Sequence, residues 1–173
     1  MRDAVANTVA AEGVDPQEFR SVMGHFCSGI TVVTAFGPDG PVGFTCQSFS
    51  SLSLRPPRVL LCPSRSSTTW PVISAAGRFC VNVLAAGQEG LSNGFARSGG
   101  DKFADVEWDL SPNGMPLLSG VAAWVDCELQ AEYDGGDHLV VTADVHGLGV
   151  GGAAGPLLYY RGKYARITPP LPV

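Results

Sequence analysis

The chain is poor in charge, and poorest in positive charge. Charged residues make up 16% of its 173 positions, and 11 Lys and Arg face 16 Asp and Glu, for a formal net charge of −5. Binding nucleic acid calls for a basic stripe, so that class of partner is excluded. No apolar run approaches the ~20 residues that a membrane-spanning helix requires, and no membrane partner is expected. Met1 to Asp15 has no apolar core behind basic residues, so it does not read as a secretory leader; a cytoplasmic location is expected. None of the five cysteines, Cys27, Cys46, Cys62, Cys80 and Cys127, forms a C-x-x-C pair, and none has a histidine at ligand spacing. Neither a metal site nor a disulfide framework is expected. Cys62, Cys80 and Cys127 lie in apolar or alternating runs, where cysteine behaves as a small buried hydrophobe.

What the chain does have is glycine, proline and short apolar runs. With 22 Gly, 13 Pro and 45% hydrophobic residues, it suits a turn-rich β protein better than a helical bundle. Its length predicts a single domain, placed at residues 15–167 between a loose lead (1–14) and a short tail (168–173). Low surface charge in so small a domain points to some surface hidden in an oligomer.

The organising stretch is Val42 to Thr69. Val42 to Phe44 and Val59 to Cys62 read as strands, short and bounded by Gly or Pro. Two hydroxyl clusters accompany them: Thr45 with Ser48, Ser50, Ser51 and Ser53, then Ser64 and Ser66 to Thr69. The second cluster runs into Trp70 to Gly77, a predicted short helix with Pro in its first turn and Gly just past its end. Hydroxyls and N–H groups at such a helix start, with Arg65 beside them, would cradle a phosphate whose ligand lies along the first strand. The same residues equally describe an ordinary N-cap followed by a polar loop.

Asp15 to Phe26 reads as an amphipathic helix, with Asp15 as cap, Pro16 at the first position and Phe19, Val22, Met23 and Phe26 on one face. Gly29 to Phe36 is a strand turned by Gly37 to Gly40 into the Val42 strand. Leu54 to Pro57 should force an extended crossing. Arg78 to Leu84 is a strand, Gln88 to Arg97 a weak helix, and Asn113-Gly114 a turn. Val121 to Tyr133 alternates apolar and polar residues, predicting a strand with one dry and one wet face. Asp134 to His138 turns the chain into a matching strand from Leu139 to Gly147, and Pro156 to Tyr164 closes as a hairpin. The pattern predicts a small antiparallel barrel with helices outside. His25 and His146 carry no predicted chemistry.

Several of these segments resemble a known family. Phe19 to Gly24, Gly29 to Thr34, Gly43 to Phe49, Leu52 to Pro57, Arg78 to Leu84, Asp101-Lys102-Phe103, Gly136-Asp137-His138 and Tyr160 to Tyr164 follow in order the pattern of the flavin reductases of two-component monooxygenases. The likeness covers Phe19 to Tyr164 and is closest to actinobacterial reductases serving aromatic and steroid-ring hydroxylases. It implies an antiparallel split β-barrel that binds flavin (an FMN-binding split barrel), peripheral helices and a homodimer. It also implies hydride transfer from NADH or NADPH to FMN or FAD, and release of reduced flavin by diffusion to a separate oxygenase component. Such chemistry belongs to the cofactors, which accords with a sequence showing no Ser-His-Asp set, metal cluster or paired carboxylates.

On the resemblance, the flavin ring lies along Val42, Gly43, Thr45, Cys46, Gln47, Ser48 and Phe49, with no individual role for Cys46. The phosphate falls to Ser64, Arg65, Ser66, Ser67 and Thr68, and Asn82 and Gln88 are further flavin-side candidates. Gly136-Asp137-His138 is the motif tied to the nicotinamide, with His138 as the catalytic candidate; taken alone the tripeptide reads as a solvated hairpin turn. Leu158, Tyr159 and Tyr160 would floor the nicotinamide pocket, although a terminal aromatic pair is more often core. A second class of function, a flavin-retaining sensor or electron carrier on the same barrel, would need no nicotinamide site.

Overall fold

The computed structural model describes residues 13–152 and 155–167; of the expected lead at 1–14 all but residues 13 and 14 lie outside them, as does the tail at 168–173. In chain order the elements are α1 (Pro16–Met23), β1 (Ser28–Gly29), β2 (Thr31–Gly37), β3 (Gly40–Cys46), β4 (Ser50–Leu54), β5 (Pro57–Leu61), α2 (Trp70–Ala76) and β6 (Arg78–Val83). They continue with α3 (Glu89–Ala96), β7 (Trp108–Leu110), β8 (Pro116–Leu118), β9 (Ala123–Gly135), β10 (His138–Val150), β11 (Leu158–Tyr160) and β12 (Lys163–Ala165). Seven strands form one antiparallel sheet in the order β3-β2-β6-β9-β10-β5-β4, and β1-β11-β12 form a smaller one.

The sheet curls back on itself. Its edge strands β3 and β4 are joined through residues 47–49, where Ser48 Oγ accepts from the Cys62 N–H at 2.8 Å and donates to the Cys62 carbonyl at 3.1 Å. This hydroxyl clasps the end of β3 to the end of β5, which is not its neighbour in the sheet. Inside the curl, Val33, Leu61, Phe79, Val81, Val141 and Ala143 pack with Trp70 and Ile73 of α2. A second apolar cluster joins Ile30, Val32 and Leu84 to Phe95 of α3, Phe103, Leu118 and Leu157. The architecture is the expected antiparallel split barrel with peripheral helices.

Local chemistry explains most elements. Asp15 Oδ1 accepts from the N–H groups of Gln17 and Glu18, capping α1 as its sequence predicts. α2 ends at Gly77 in the left-handed conformation, φ 73°, where glycine carries no Cβ penalty. Two readings are corrected. Leu54 to Pro57 is a tight hairpin from β4 into β5, with a cis Arg55–Pro56 bond, rather than an extended crossing. The wet face of β9 is not wet throughout. Cys127 on the dry face is in the core as expected, but Asp126 on the other face is buried too, because the β7–β8 hairpin folds over it and its Oδ2 accepts from the Asn113 N–H at 3.3 Å. Among the described residues no helix is long and apolar enough to cross a membrane.

Candidate functional site

A groove of about 470 Å³ opens where three segments converge. Phe44 to Ser48 form one wall, Cys62 to Ser64 with Ser66 to Thr69 a second, and Phe95 to Ser98 with Lys102 a third; His138 stands at one end. The volume lies within the ~300–1,000 Å³ of small-molecule sites.

The hydroxyl loop is built by its own hydrogen bonds. Ser66 N–H donates to Ser64 Oγ and Ser67 N–H to Ser64 O, while Thr69 and Trp70 N–H both donate to Ser67 Oγ. Those backbone N–H groups, expected to face an anion, are therefore taken. The hydroxyl protons are another matter. Ser67 Oγ accepts two bonds, which leaves its O–H to donate outward. Ser64 and Ser66 share one bond of 2.8 Å, leaving one proton of that pair for a ligand. The loop both steadies its own run into α2, whose N-cap residue Thr69 makes no side-chain cap bond, and offers oriented donors.

Arg65 departs from expectation. Its Nε donates to Gly136 O at 2.8 Å and its Nη2 to Asp134 Oδ1 at 2.7 Å, so the guanidinium points along the β9–β10 turn and not into the groove. That bond, helped by the Gly136 N–H and the Arg65 charge, holds the Asp134 carboxyl below its ordinary range. The cations that do line the groove are Arg97 and Lys102. Lys102 Nζ donates to Gly43 O and Phe95 O, each at 3.1 Å, which ties β3 to α3 and keeps the ammonium at the groove wall. Burial pushes its pKa down.

His138 reaches the groove through pairing. Ser64 and His138 form an isolated antiparallel bridge, Leu139 N–H donates to Pro63 O, and Arg65 N–H donates to Asp137 O. Gly136 takes φ 83° at the turn, a conformation suited to glycine. His138 Nδ1 lies 2.8 Å from Asp137 Oδ1, an arrangement that fixes the ring and leaves Nε2 for a ligand. The Asp137 carboxyl is held below its usual range, first by this bond and also by the charges of His138 and Arg20.

Of the predicted strand residues, Thr45, Cys46, Gln47 and Ser48 line the groove. Two of their hydroxyls are already used: Thr45 Oγ1 donates to Ser92 O at 2.7 Å, and Ser48 is the clasp. Ring contacts on this wall therefore fall to backbone groups and the exposed Gln47. Val42 and Phe49 pack against the barrel core instead. Gly43 faces α3, where a Cβ would meet the Phe95 ring at 2.8 Å and Val33 O at 3.0 Å; it lets the helix lie close to the strand.

Asn82 is a clear correction. It is fully buried, donates to Val32 O and Thr34 Oγ1, and accepts from the Leu118 N–H, so it anchors the β7–β8 hairpin away from the groove. Gln88 likewise serves the fold, accepting from Ala85 N–H and donating to Ser119 O. Tyr159 does not line the groove; it borders a neighbouring recess of about 370 Å³ with Phe19, Arg20, Met23, Phe26 and Gln47, the last shared with the groove. Leu158 and Tyr160 flank it on β11, where Tyr160 meets the His25 ring edge-on. Cys62, expected to be buried, is partly exposed on the groove wall. Phe44, Phe95, Arg97, Ser98 and Lys102 also line the groove, which the sequence did not lead one to expect; the Arg and Lys carry a signal in their charge, but no spacing ties them to Ser64.

The residues fit a flavin nucleotide: donors and cations for a phosphate, a backbone wall for a planar ring, and an imidazole beside the hydroxyl loop, where His138 pairs with Ser64. The pattern of the flavin reductase like domain matches residues 23–168. The reductase subunit HsaB of a flavin-dependent monooxygenase from Rhodococcus jostii is 48% identical over 93% of this chain and 83% of its own. A Mycobacterium thermoresistibile structure described as nitrilotriacetate monooxygenase component B superposes with a TM-score of 0.87 at 46% identity, covering 92% of this chain and 90% of that one. The Streptomyces globisporus NADH:FAD oxidoreductase SgcE6, solved with NAD and FAD fragments, gives a TM-score of 0.85 at 37% identity, covering 94% and 100%.

Proposed function

The chain belongs to the flavin reductase like family, and from that premise we propose that it moves hydride from NADH or NADPH to FMN or FAD. Reduced flavin then passes by diffusion to a separate oxygenase component. The observation that carries the reading is one groove bordered by the Ser64–Thr69 hydroxyls, Arg97 and Lys102, the end of β3 and His138.

Bound nicotinamide and flavin supply the hydride donor and acceptor. The chain's own work is to hold them. Ser64 or Ser66, Ser67 and Thr68 donate to the flavin phosphate, and Lys102 and Arg97 neutralise it. The backbone of residues 44–48 and the Gln47 carboxamide take the ring edge. His138, steadied by Asp137, offers Nε2 to the nicotinamide carboxamide, and Tyr159 walls the adjoining recess. Fixing two planar rings in contact can contribute up to ~7–11 kcal/mol of barrier lowering. A site of hydroxyls with two cations binds flavin modestly, as a protein that releases its product requires.

We further propose a homodimer acting through the single domain at 15–167, and a cytoplasmic setting. Support for the dimer comes from α1, which buries none of its residues: Phe19, Val22 and Met23, with Phe26 just past the helix, are all more than half exposed, an apolar face suited to a second copy. The test uses purified protein. NADH oxidation should depend on added FMN or FAD, and flavin should be lost on dilution. Tightly retained flavin without turnover would instead support the sensor.

A further inference from the structure

Two free cysteines line the groove, and the proposed reaction uses the side chain of neither. Cys46 ends β3, and Cys62 follows β5. They meet through Ser48, whose Oγ lies 3.3 Å from Cys46 Sγ and holds both the N–H and the carbonyl of Cys62. Cys46 is 5% exposed, whereas Cys62 is partly open to the groove. Burial pushes the Cys46 thiol up, and the Cys62 backbone and thiol are near enough to act on it. The remaining cysteines differ: Cys80 and Cys127 are buried away from the groove, and Cys27 is exposed outside it.

We infer that Cys46 and Cys62 are a reversible thiol pair that closes the groove when peroxide builds up beside it. The inference rests on the proposed flavin reduction for its oxidant. Reduced flavin that no oxygenase collects reacts with dioxygen, returning oxidised flavin and hydrogen peroxide. The Cys62 thiolate, the accessible one, attacks a peroxide oxygen; the O–O bond breaks, hydroxide leaves and a sulfenic acid forms. The Cys46 sulfur then displaces the hydroxyl group from Cys62, forming the S–S bond as the S–O bond breaks, and its proton leaves in the water released. Two thiols and one peroxide give one disulfide and two waters. A disulfide needs Cα atoms within roughly 7 Å, a span that contact through a single hydroxyl keeps within reach. The link ties the β5 end to the end of β3 and breaks the Ser48 clasp between them, distorting the ring-side wall. The reductase thereby stops when its product goes unused.

The test treats the protein with hydrogen peroxide without NADH or flavin, then maps peptides without reductant. The expected result is a Cys46–Cys62 linked peptide and loss of FMN binding in a fluorescence titration, both reversed by dithiothreitol. Cys62→Ser and Cys46→Ala, each compared with its own untreated sample, should keep their FMN binding through the treatment, while Cys27→Ser behaves as the native chain. In a second arm, turnover with NADH and FMN in air should produce the same link, and catalase should prevent it. Sulfinic acid on Cys62 with Cys46 still reduced, or links only through Cys27, would overturn the pair. A link formed by added peroxide but absent while NADH is being consumed would overturn the self-closing role, whereas no NADH consumption at all would count against the proposed reaction instead.

Discussion

Two loops border the groove, and the chain advertises them unequally. Residues 62–69 carry a run of hydroxyls with Arg65, the pattern of an anion cradle. Residues 97–102, Arg-Ser-Gly-Gly-Asp-Lys, read as a loop whose Asp101-Lys102 belongs to a family motif but which shows no anion-cradle pattern. In the fold the first loop holds its own backbone together and turns its cation onto Asp134 and Gly136, while the second brings Arg97 and Lys102 to the groove. A charge is placed by the partner that outbids the ligand for it. Asp134 is within reach of Arg65 because the β9–β10 hairpin folds back beside the loop; among the described residues Lys102 bonds to two carbonyls, which carry no charge to offset its own and leave it attractive to a phosphate.

The comparison breaks most visibly at Lys102. Lys102→Met should weaken FMN binding by ~1.5–3 kcal/mol, the worth of a charge-assisted hydrogen bond, with riboflavin, which has no phosphate, much less affected in parallel titrations. Arg65→Ala should change FMN affinity less than Lys102→Met does; the reverse order would return the phosphate cation to position 65.

Ser66→Ala and Ser67→Ala sharpen the account of the hydroxyl loop. Each should weaken FMN binding by about 0.5–1.5 kcal/mol. Only Ser67→Ala should also lower the melting temperature, since its oxygen accepts from the Thr69 and Trp70 N–H groups that lead into α2, each bond worth about 1 kcal/mol. Equal thermal stability of the two variants would remove those bonds from the account.

His138→Ala should raise the apparent KM for NADH by a hydrogen bond's worth, about 1 kcal/mol, and leave the flavin dissociation constant alone. Steady-state kinetics at saturating flavin decides it, and an unaltered KM removes the histidine from the nicotinamide site.

The smallest effect belongs to Arg65 and Asp134. The Asp134 pKa is lowered from its ordinary 3.8 in the folded chain, so the unfolded chain binds its proton first as pH falls. The stability this exposed pair contributes is full above pH 3.8 and is lost as pH drops through the lowered value. Melting curves of the native chain and Asp134→Asn should therefore differ most above pH 3.8 and converge only once pH is below the lowered value.

Much of the fold was legible. Asp15 with Pro16, the Gly37–Gly40 turn, Gly77 past α2 and Gly135-Gly136 between β9 and β10 are local signals, and each element they bound is present. The hairpin at Leu54–Pro57 was not legible, because two prolines forbid helix and central strand alike but do not exclude an edge turn. Asp126 was not legible either, since its burial depends on a hairpin that covers it from elsewhere in the chain. In the groove, Ser64 and Ser66 to Thr69 could be read from the chain, and His138 from the family resemblance. The roles of Asn82, Gln88, Arg65 and Lys102 could not.

The chain by itself determined its strands, turns and caps, because these depend on φ preferences, side-chain period and bonds between near neighbours. It also carried the ordered motifs that mark its family. Tertiary structure alone decided which polar groups are spent inside the fold and which face the groove. A hydroxyl or guanidinium takes whatever acceptor the folded chain brings within about 3 Å. For Thr45, Ser48, Arg65 and Asn82 that partner comes from 14 to 71 residues away, a distance over which local sequence has no say.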